Sequence, residues 1–321
     1  MRLVFVKLGD VAGWGQAQID AMVTAVPDNG VLLDDLKTSQ ASLQRMQAYL
    51  LEPDAVFISY NGGFRIGPSP ATGAMPPATL TSWYVDGPWV HYGDAAALPP
   101  AYVSLFCCQD HVEASRYLGL PHRALFLPHG GPPPAVEVGA QTSDQAGERP
   151  IDILFVGNVG KNPDEKAFLA EASSLPVAYR AAVWAAAKAQ ATTGVSTLGA
   201  WTDACRDTGV DRDGLEAIAR AEALTSIERL GQIQARAALF ASLPAGARIV
   251  AAGDIAPGTP VPEDAEVLGP VPPAFRPIEN RPQYDAEVPH RRHRTGLVRA
   301  RPRRRDRQQS EHAARRLLHV G

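Results

Sequence analysis

The chain has 321 residues, of which 45% are hydrophobic and 20% are charged, a composition typical of a globular protein with more than one domain. Its longest apolar runs are far shorter than the roughly 20 residues that span a bilayer, and its first residues lack the apolar core of a secretion signal. Three cysteines are too few for a disulfide framework or a four-ligand zinc site. We therefore expect a cytoplasmic protein without a transmembrane segment.

The net charge of −3 conceals two different compositions within one chain. Residues 276–321 include thirteen arginines, no lysine and five acidic residues, which gives this segment a charge of +8. The residues before position 276 therefore carry −11.

The first part of the chain alternates between short apolar runs and polar segments. The runs that predict strands are RLVFVKLG, AVFISY, TSWYVD, YVSLFCC and RALFLP. A polar segment over 36–51 predicts a helix between the first two runs. This succession favours a parallel sheet covered by helices over residues 1–130, in which ligands bind beyond the carboxyl ends of the strands.

A second sheet domain is predicted after a linker. Residues 131–150 contain a proline triplet and small polar residues, which is typical of a linker. The run IDILFVGNVG then predicts a strand that enters a glycine-rich turn, and helical patterning dominates 164–243. ARIVAAGD and AEVLGPV predict two more strands, so that 151–275 form a partial sheet domain with a helical insertion.

The basic tail, residues 276–321, has almost no apolar periodicity, and we expect it to be disordered. One interpretation is a basic arm that binds nucleic acid or acidic lipid. The other is a shifted reading frame, because misread GC-rich codons yield Arg, Pro, Ala and His without Lys. We favour the shifted frame and expect no specific nucleic-acid partner.

Two groups of candidate site residues follow predicted strands. Asn61, Gly62 and Gly63 come after AVFISY, where glycines permit a tight turn against a ligand, although a simple turn explains them equally well. The segment SWYVDGPWVH contains Asp86 and His91, which can exchange a proton with a substrate. Its two tryptophans could stack on a sugar or a base. The alternative is that the aromatic residues belong to the core and that Asp86 caps a helix.

The segment CCQDHVEASRYLGLP favours structural roles. Asp110 is a predicted helix N-cap, and a single histidine such as His111 near a helix start is more often structural than functional. Cys107 and Cys108 are predicted to point to opposite faces of a strand as buried apolar residues.

Further candidates lie on both sides of the linker. His129, in FLPHGG, could present its imidazole to a cleft, or could simply be packed. In FVGNVGKN, Gly157, Asn158 and Lys161 stand between a strand and a helix, where backbone N–H groups and a positive charge favour a diphosphate. The triplet 211–213 spells D-x-D, but the helix that follows it favours a capping role over metal binding.

The order of YNGG, SWYVDGPWVH, CCQDHVEASRYLGLP, FLPHGG and IDILFVGNV resembles bacterial spore-maturation-protein-like glycosyltransferases. The resemblance implies two Rossmann-like domains of the GT-B type, the second of them incomplete here. It also implies transfer of a sugar from a nucleoside-diphosphate donor to an acceptor, either a glycan, a protein or a small molecule, without a required metal or cofactor. The residues that would line the cleft between the domains are Asn61, Gly62, Gly63, Asp86, His91 and His129. Gly157 and Asn158 would approach the donor phosphates, and Lys161 would add positive charge.

The chemistry of sugar transfer suits these residue types. The acceptor hydroxyl needs a base, and the departing diphosphate needs N–H donors or positive charge. Asp86 is the first candidate for the base and His129 the second. The competing hypothesis is a non-catalytic remnant that binds a ligand or a partner, because the donor domain is incomplete.

Overall fold

The structure is a computed structural model. It describes residues 1–6, 13–33, 36, 39–61, 64–128, 153–156, 164–171, 175–244, 249–253, 255, 261 and 265–269. All of these belong to one compact unit, Met1–Glu279. The second unit, Asn280–Gly321, and the predicted linker over 131–150 lie outside the described residues.

The first part of the chain forms a six-stranded, fully parallel sheet with the order β2-β1-β3-β4-β5-β6. Its strands are β1 Arg2–Val6, β2 Gly30–Leu33, β3 Ala55–Tyr60, β4 Thr79–Tyr84, β5 Val103–Phe106 and β6 Arg123–Phe126. The helices in this part are α1 Gly13–Ala25, α2 Gln40–Leu50, α3 Tyr92–Ala96 and α4 Gln109–Tyr117. The predicted α/β class and the parallel sheet are confirmed.

Central strands of this sheet are buried, as parallel sheets require. On β3 the side chains of Ala55, Phe57 and Ser59 are buried, while the residues between them are partly exposed. The hydroxyls that this burial removes from water bind neighbouring strands: Ser59 donates to the carbonyl of Thr81, and Thr81 donates to the carbonyl of Phe57. The buried hydroxyls of Ser59 and Thr81 are therefore satisfied within the sheet.

Helix α2 begins later than the pattern over 36–51 predicts. The Ser39 side chain accepts a hydrogen bond from the backbone N–H of Ser42 at 3.2 Å, so the helix starts at Gln40 and runs to Leu50. A serine that satisfies a free N–H group is a stronger start signal than the apolar spacing of the preceding residues.

A second parallel sheet has the order β7-β8-β9. Its strands are β7 Ile153–Val156, β8 Ile249–Ala252 and β9 Glu266–Gly269, and the helices between β7 and β8 are α5 Glu165–Glu171, α6 Val177–Thr193, α7 Thr197–Thr208 and α8 Ala217–Ala241. The predicted strands in IDILFVGNVG, ARIVAAGD and AEVLGPV are therefore confirmed, and so is the helical segment between the first two.

Helices α6 and α8 approach closely because small residues lie between them. Ala182, Ala186 and Ala187 of α6 are fully buried. A Cβ atom at Gly231 of α8 would lie 2.4 Å from the side-chain oxygen of Gln190 and 3.3 Å from the carbonyl of Ala187. A larger residue at Gly231 would therefore displace the Gln190 side chain and crowd the carbonyl of Ala187.

The helices between β7 and β8 share a hydrophobic core with helix α4 of the first sheet. Ala114 and Leu118 pack in the same cluster as Trp201, Leu224 and Ile227, and all five residues are at most 1% exposed. This shared core joins the helical insertion to the layer that covers the six-stranded sheet.

Tyr117, the last residue of α4, provides hydrogen bonds across this contact. Its hydroxyl donates to the carbonyl of Arg212 at 2.7 Å and accepts from the Trp201 indole at 2.9 Å. The guanidinium groups of Arg212 and Arg220 lie 4.8 and 5.1 Å from the centre of its ring. Burial raises the pKa of the Tyr117 hydroxyl, which keeps it neutral and able to donate.

Two predicted caps are wrong. The N-cap of α4 is Cys108, so Asp110 lies inside the first turn, where its charge still complements the helix dipole. The N-cap of α8 is Glu216, so the D-x-D triplet ends before the helix. Asp211 instead accepts a hydrogen bond from the backbone N–H of Asp213 at 3.0 Å, which closes a turn between α7 and α8.

His122, which precedes β6, predicts a pH dependence of stability. It is 7% exposed, neither ring nitrogen has a hydrogen-bond partner among the described residues, and burial lowers its pKa below the usual value of 6.5. Below about pH 6.5 the histidine becomes protonated in the unfolded chain but stays neutral in the folded chain. The free energy of unfolding should therefore decrease as the pH is lowered, by at most about 1.4 kcal/mol per pH unit.

Urea denaturation at pH 7.5 and pH 5.5 measures this effect. We expect His122→Phe to lose less stability between these two pH values than the unchanged chain, because phenylalanine does not titrate. An equal loss in both proteins would show that His122 contributes nothing to the pH dependence.

Candidate functional site

The strands β1 and β3 are neighbours, although β2 lies between them in sequence, and the order of strands reverses at this point. Ligands of open α/β sheets bind at such a reversal, beyond the carboxyl ends of the strands. Asn61 follows β3 there and has a left-handed backbone with φ of 48°, which asparagine tolerates better than most residues. The predicted candidate Asn61 thus lies at the edge where the fold places ligands.

Asn61 and Cys107 hold the backbone of Val85 from two sides. The Asn61 side-chain oxygen accepts from the N–H of Val85 at 3.2 Å, and the Asn61 N–H donates to the carbonyl of Trp83 at 2.8 Å. The thiol of Cys107, just beyond β5, donates to the carbonyl of Val85 at 3.1 Å. The carboxyl ends of β3, β4 and β5 are therefore joined directly before Asp86.

Asp86 and His91 form a polar pair beyond β4. His91 Nε2 lies 3.1 Å from Asp86 Oδ2, and the side chains are 21% and 51% exposed, respectively. An ionised carboxylate can only accept, so the proton of this hydrogen bond belongs to the imidazole. The His91 ring also lies 5.9 Å from the ring of Tyr84. The structure thus brings together two of the three predicted catalytic residues.

The groups around this pair are held protonated. Burial raises the pKa of Tyr60 well above its usual range, and the negative charge of Asp86 raises it further. Burial also raises the pKa of the Cys107 thiol, with smaller contributions from Cys108 and Asp86. Tyr60 and Cys107 are therefore hydrogen-bond donors at neutral pH, and Cys107 is a poor nucleophile.

The tryptophans of SWYVDGPWVH are mainly core residues. Trp83 is 3% exposed and contacts the edge of the Tyr60 ring, so the predicted stacking role of Trp83 is wrong. Trp89 is 4% exposed, and a Cβ atom at Gly87 would lie 2.3 Å from its ring. Only glycine at position 87 leaves room for this indole next to Asp86.

Trp89 connects the site to the helical insertion. Its indole N–H donates to the Glu228 carboxylate of α8 at 2.6 Å, and its ring meets the edge of the His111 ring at 5.2 Å between ring centres. The structural role predicted for His111 fits this packing. Trp89 is thus held from α8 on one side and from α4 on the other.

We expect Glu228→Ala to lower the free energy of unfolding by about 2 kcal/mol, because it leaves the buried N–H of Trp89 without its charged acceptor. Glu228→Gln retains an acceptor oxygen and should cost less. Chemical denaturation followed by circular dichroism measures both changes. Glu222→Ala, at an exposed position of the same helix, is the control, with an expected change within about 0.5 kcal/mol. Equal effects of Glu228→Ala and Glu222→Ala would contradict the role of Glu228.

The remaining predicted site residues lie outside the described residues: Gly62, Gly63, His129, Gly157, Asn158 and Lys161. The described strand β7 ends at Val156, immediately before Gly157 in sequence. Among the described residues, no group of three or more His, Cys, Asp or Glu side chains is arranged to hold a metal ion.

Sequence reasoning missed Cys107 and Glu228 as parts of this site. The pattern predicts Cys107 as a buried residue within the strand YVSLFCC, but β5 ends at Phe106, and the partly exposed Cys107 lies just beyond it, at the carboxyl edge shared with Asn61 and Asp86. Glu228 carries no signal in the sequence, since it is 139 residues from Trp89 and reaches the site only through the packing of α8.

The fold and the site define an α/β protein with a Rossmann-like, six-stranded parallel sheet that carries a polar Asp–His pair at its carboxyl edge. Comparison of the chain with protein-family models, curated proteins and solved structures finds no match. In the described part of the chain, no helix combines the length and the apolar character needed to cross a membrane.

Proposed function

We propose that this chain is a glycosyltransferase, which transfers a sugar from a nucleoside-diphosphate donor to an acceptor hydroxyl without a required metal. The observation that carries the proposal is the pair formed by Asp86 and His91 just beyond β4, on the carboxyl side of a parallel sheet. This is the side on which such sheets bind their ligands.

The pair suits the proton transfer that the reaction needs. The acceptor oxygen forms a bond to the anomeric carbon of the sugar while the bond from that carbon to the diphosphate breaks. The acceptor proton passes to Asp86, whose carboxylate is half exposed and therefore open to a substrate hydroxyl. His91, with Nε2 on Oδ2, holds this carboxylate in one orientation, which is a positioning role. His129 is the second candidate for the base.

For the donor, we propose the GT-B arrangement, in which a second sheet domain binds the nucleotide. Support comes from the parallel sheet β7-β8-β9 and from the sequence after β7, where Gly157, Asn158 and Lys161 suit a diphosphate. Asn61 with Gly62 and Gly63 would line the acceptor side of the cleft. The complete nucleoside-diphosphate sugar is the donor substrate, and no further cofactor is required.

A second candidate function is ligand or partner binding without catalysis. The described part of the second sheet has three strands, half as many as the first sheet. If the chain adds too little to this sheet to close a donor site, the carboxyl-edge site could still hold a ligand without transferring a sugar.

Calorimetry with UDP-, GDP- and dTDP-sugars tests the proposal. We expect binding heat with sugars of one nucleotide, and release of the nucleoside diphosphate when an acceptor is added. A folded chain, as shown by circular dichroism, that gives no heat with any donor would contradict the transferase. Donor binding without release of nucleoside diphosphate across an acceptor panel would favour the non-catalytic candidate.

A further inference from the structure

A groove with a volume of about 500 Å³ lies between the segment after β4 and helix α8. Its walls come from residues 89–93 on one side and 218–226 on the other. The volume falls within the range of about 300–1,000 Å³ that is common for small-molecule sites. The sequence patterns gave no indication of it, since its two walls are more than 100 residues apart.

Both walls contribute apolar residues to the groove. Val90 and Ile218 are 47% and 63% exposed, and together with Tyr92 and Ala221 they belong to the apolar part of the described lining. Exposed apolar residues scattered singly need no explanation, but a group of them around a concave surface indicates a binding site.

One turn of α8 supplies polar groups to the same groove. Glu222, Thr225 and Ser226 are spaced so that they share one helix face. The Thr225 hydroxyl donates to the carbonyl of Ala221 at 2.8 Å and lies 3.4 Å from the carbonyl of Trp89. Glu222 and Ser226 add a carboxylate and a hydroxyl to the same face, and among the described lining residues Glu222 is the only charged one.

This composition suits a ligand that has both an apolar face and hydroxyl groups. The negative charge of Glu222 disfavours an anion such as a phosphate. A carboxylate accepts well from hydroxyl groups, and an aromatic ring such as Tyr92 packs against the apolar C–H face of a sugar ring. A saccharide combines these two properties.

The wall of the groove is held in place before a ligand arrives. The Trp89 indole is fixed by Glu228 at 2.6 Å and by the edge of His111. Rigid walls lower the ordering cost of binding, which favours a preformed site. The same wall carries His91, which stands in the chain between the lining residues Val90 and Tyr92 and contacts Asp86.

We propose that this groove binds a neutral saccharide, the acceptor of the transfer reaction. The role as acceptor rests on the proposed function, whereas saccharide binding by the groove does not. One face of the sugar ring packs on Tyr92 and Ile218, and its hydroxyls bind Glu222 and Ser226. The ligand thereby lies against the segment that carries the Asp86–His91 pair.

Saturation-transfer NMR with the full chain and no donor tests the proposal. The probes are methyl glucoside, methyl mannoside, methyl galactoside, N-acetylglucosamine and the disaccharides maltose and cellobiose. We expect at least one of them to bind, and Tyr92→Ala and Glu222→Gln each to weaken that binding on the order of tenfold. Glu113→Gln, at an exposed glutamate of α4, is the matched control and should leave binding unchanged.

Two results would contradict the proposal that the groove binds a saccharide. One is the absence of binding by every probe. The other is binding that neither Tyr92→Ala nor Glu222→Gln weakens, which would place the saccharide elsewhere. Glu222 is exposed, so Glu222→Gln should fold normally and remains informative if Tyr92→Ala does not fold.

The outcomes for the groove and for the transferase are distinguishable. If the chain binds a nucleoside-diphosphate sugar but no saccharide, the proposed transferase function stands and the proposed saccharide site in the groove is wrong. If it binds a saccharide through Tyr92 and Glu222 but no nucleoside-diphosphate sugar, the saccharide site stands and the transferase function is wrong.

Discussion

Trp201→Ala is expected to lower the free energy of unfolding by about 3–5 kcal/mol, the range for removing a large aromatic residue from a packed core. Trp201 is fully buried among the residues that join α4 to the helical insertion, and its indole donates to the Tyr117 hydroxyl. Its removal leaves both a cavity and a disrupted hydrogen-bond chain. Urea denaturation followed by circular dichroism measures the loss.

Tyr117→Phe separates the hydrogen bonds from the packing. It keeps the ring and its contacts with Arg212 and Arg220 but removes the hydroxyl. The buried N–H of Trp201 then loses its acceptor, and the carbonyl of Arg212 loses its donor. We expect it to cost about 1–3 kcal/mol.

Trp184→Ala serves as the matched control for Trp201→Ala. Trp184 lies on α6, is only partly buried and packs on Phe168 at 5.4 Å between ring centres, so its removal should cost less. If Trp201→Ala lowered the free energy of unfolding no more than Trp184→Ala, the contribution of Trp201 to the core shared by α4 and the insertion would be contradicted.

Asp86→Asn is expected to lower the rate of sugar transfer by about 100- to 10,000-fold, the usual contribution of a general base. The amide has nearly the same shape as the carboxylate but cannot accept the acceptor's proton. Donor binding should change little, so the loss should fall on kcat. Release of nucleoside diphosphate under saturating donor measures it.

The control for Asp86 is Asp94→Asn. Asp94 lies on α3, its side chain is 53% exposed against 51% for Asp86, and it forms an ion pair with Arg65. It has the same chemistry and the same exposure in the same part of the chain, but it is not part of the pair with His91. Equal loss of activity in the two variants would show that Asp86 has no particular role in proton transfer.

The strand-end residues of the site could be predicted because parallel strands share one carboxyl edge. Asn61 and Asp86 each stand at the end of an apolar run, and the register of β3 and β4 brings these ends together. Their individual contacts could not be predicted. The bond from Asn61 to the N–H of Val85 depends on a left-handed backbone at one residue, which the strand pattern does not specify.

By itself, the sequence determined five of the six strands of the first sheet, its parallel arrangement and the places where polar residues leave the strands, because these follow from local periodicity and from the burial that such a sheet requires. It did not reveal β2, Gly30–Leu33, or α1, Gly13–Ala25, which the structure places between the first two predicted strands. Only the tertiary structure decided that Asp86 meets His91, that Glu228 fixes Trp89, and that α8 completes a groove beside them. The contact of Asp86 with His91 depends on the directions of two side chains five residues apart, and the other two features depend on the packing of α8, more than 100 residues away in the chain. No local pattern encodes such long-range packing, since it depends on how the whole core closes.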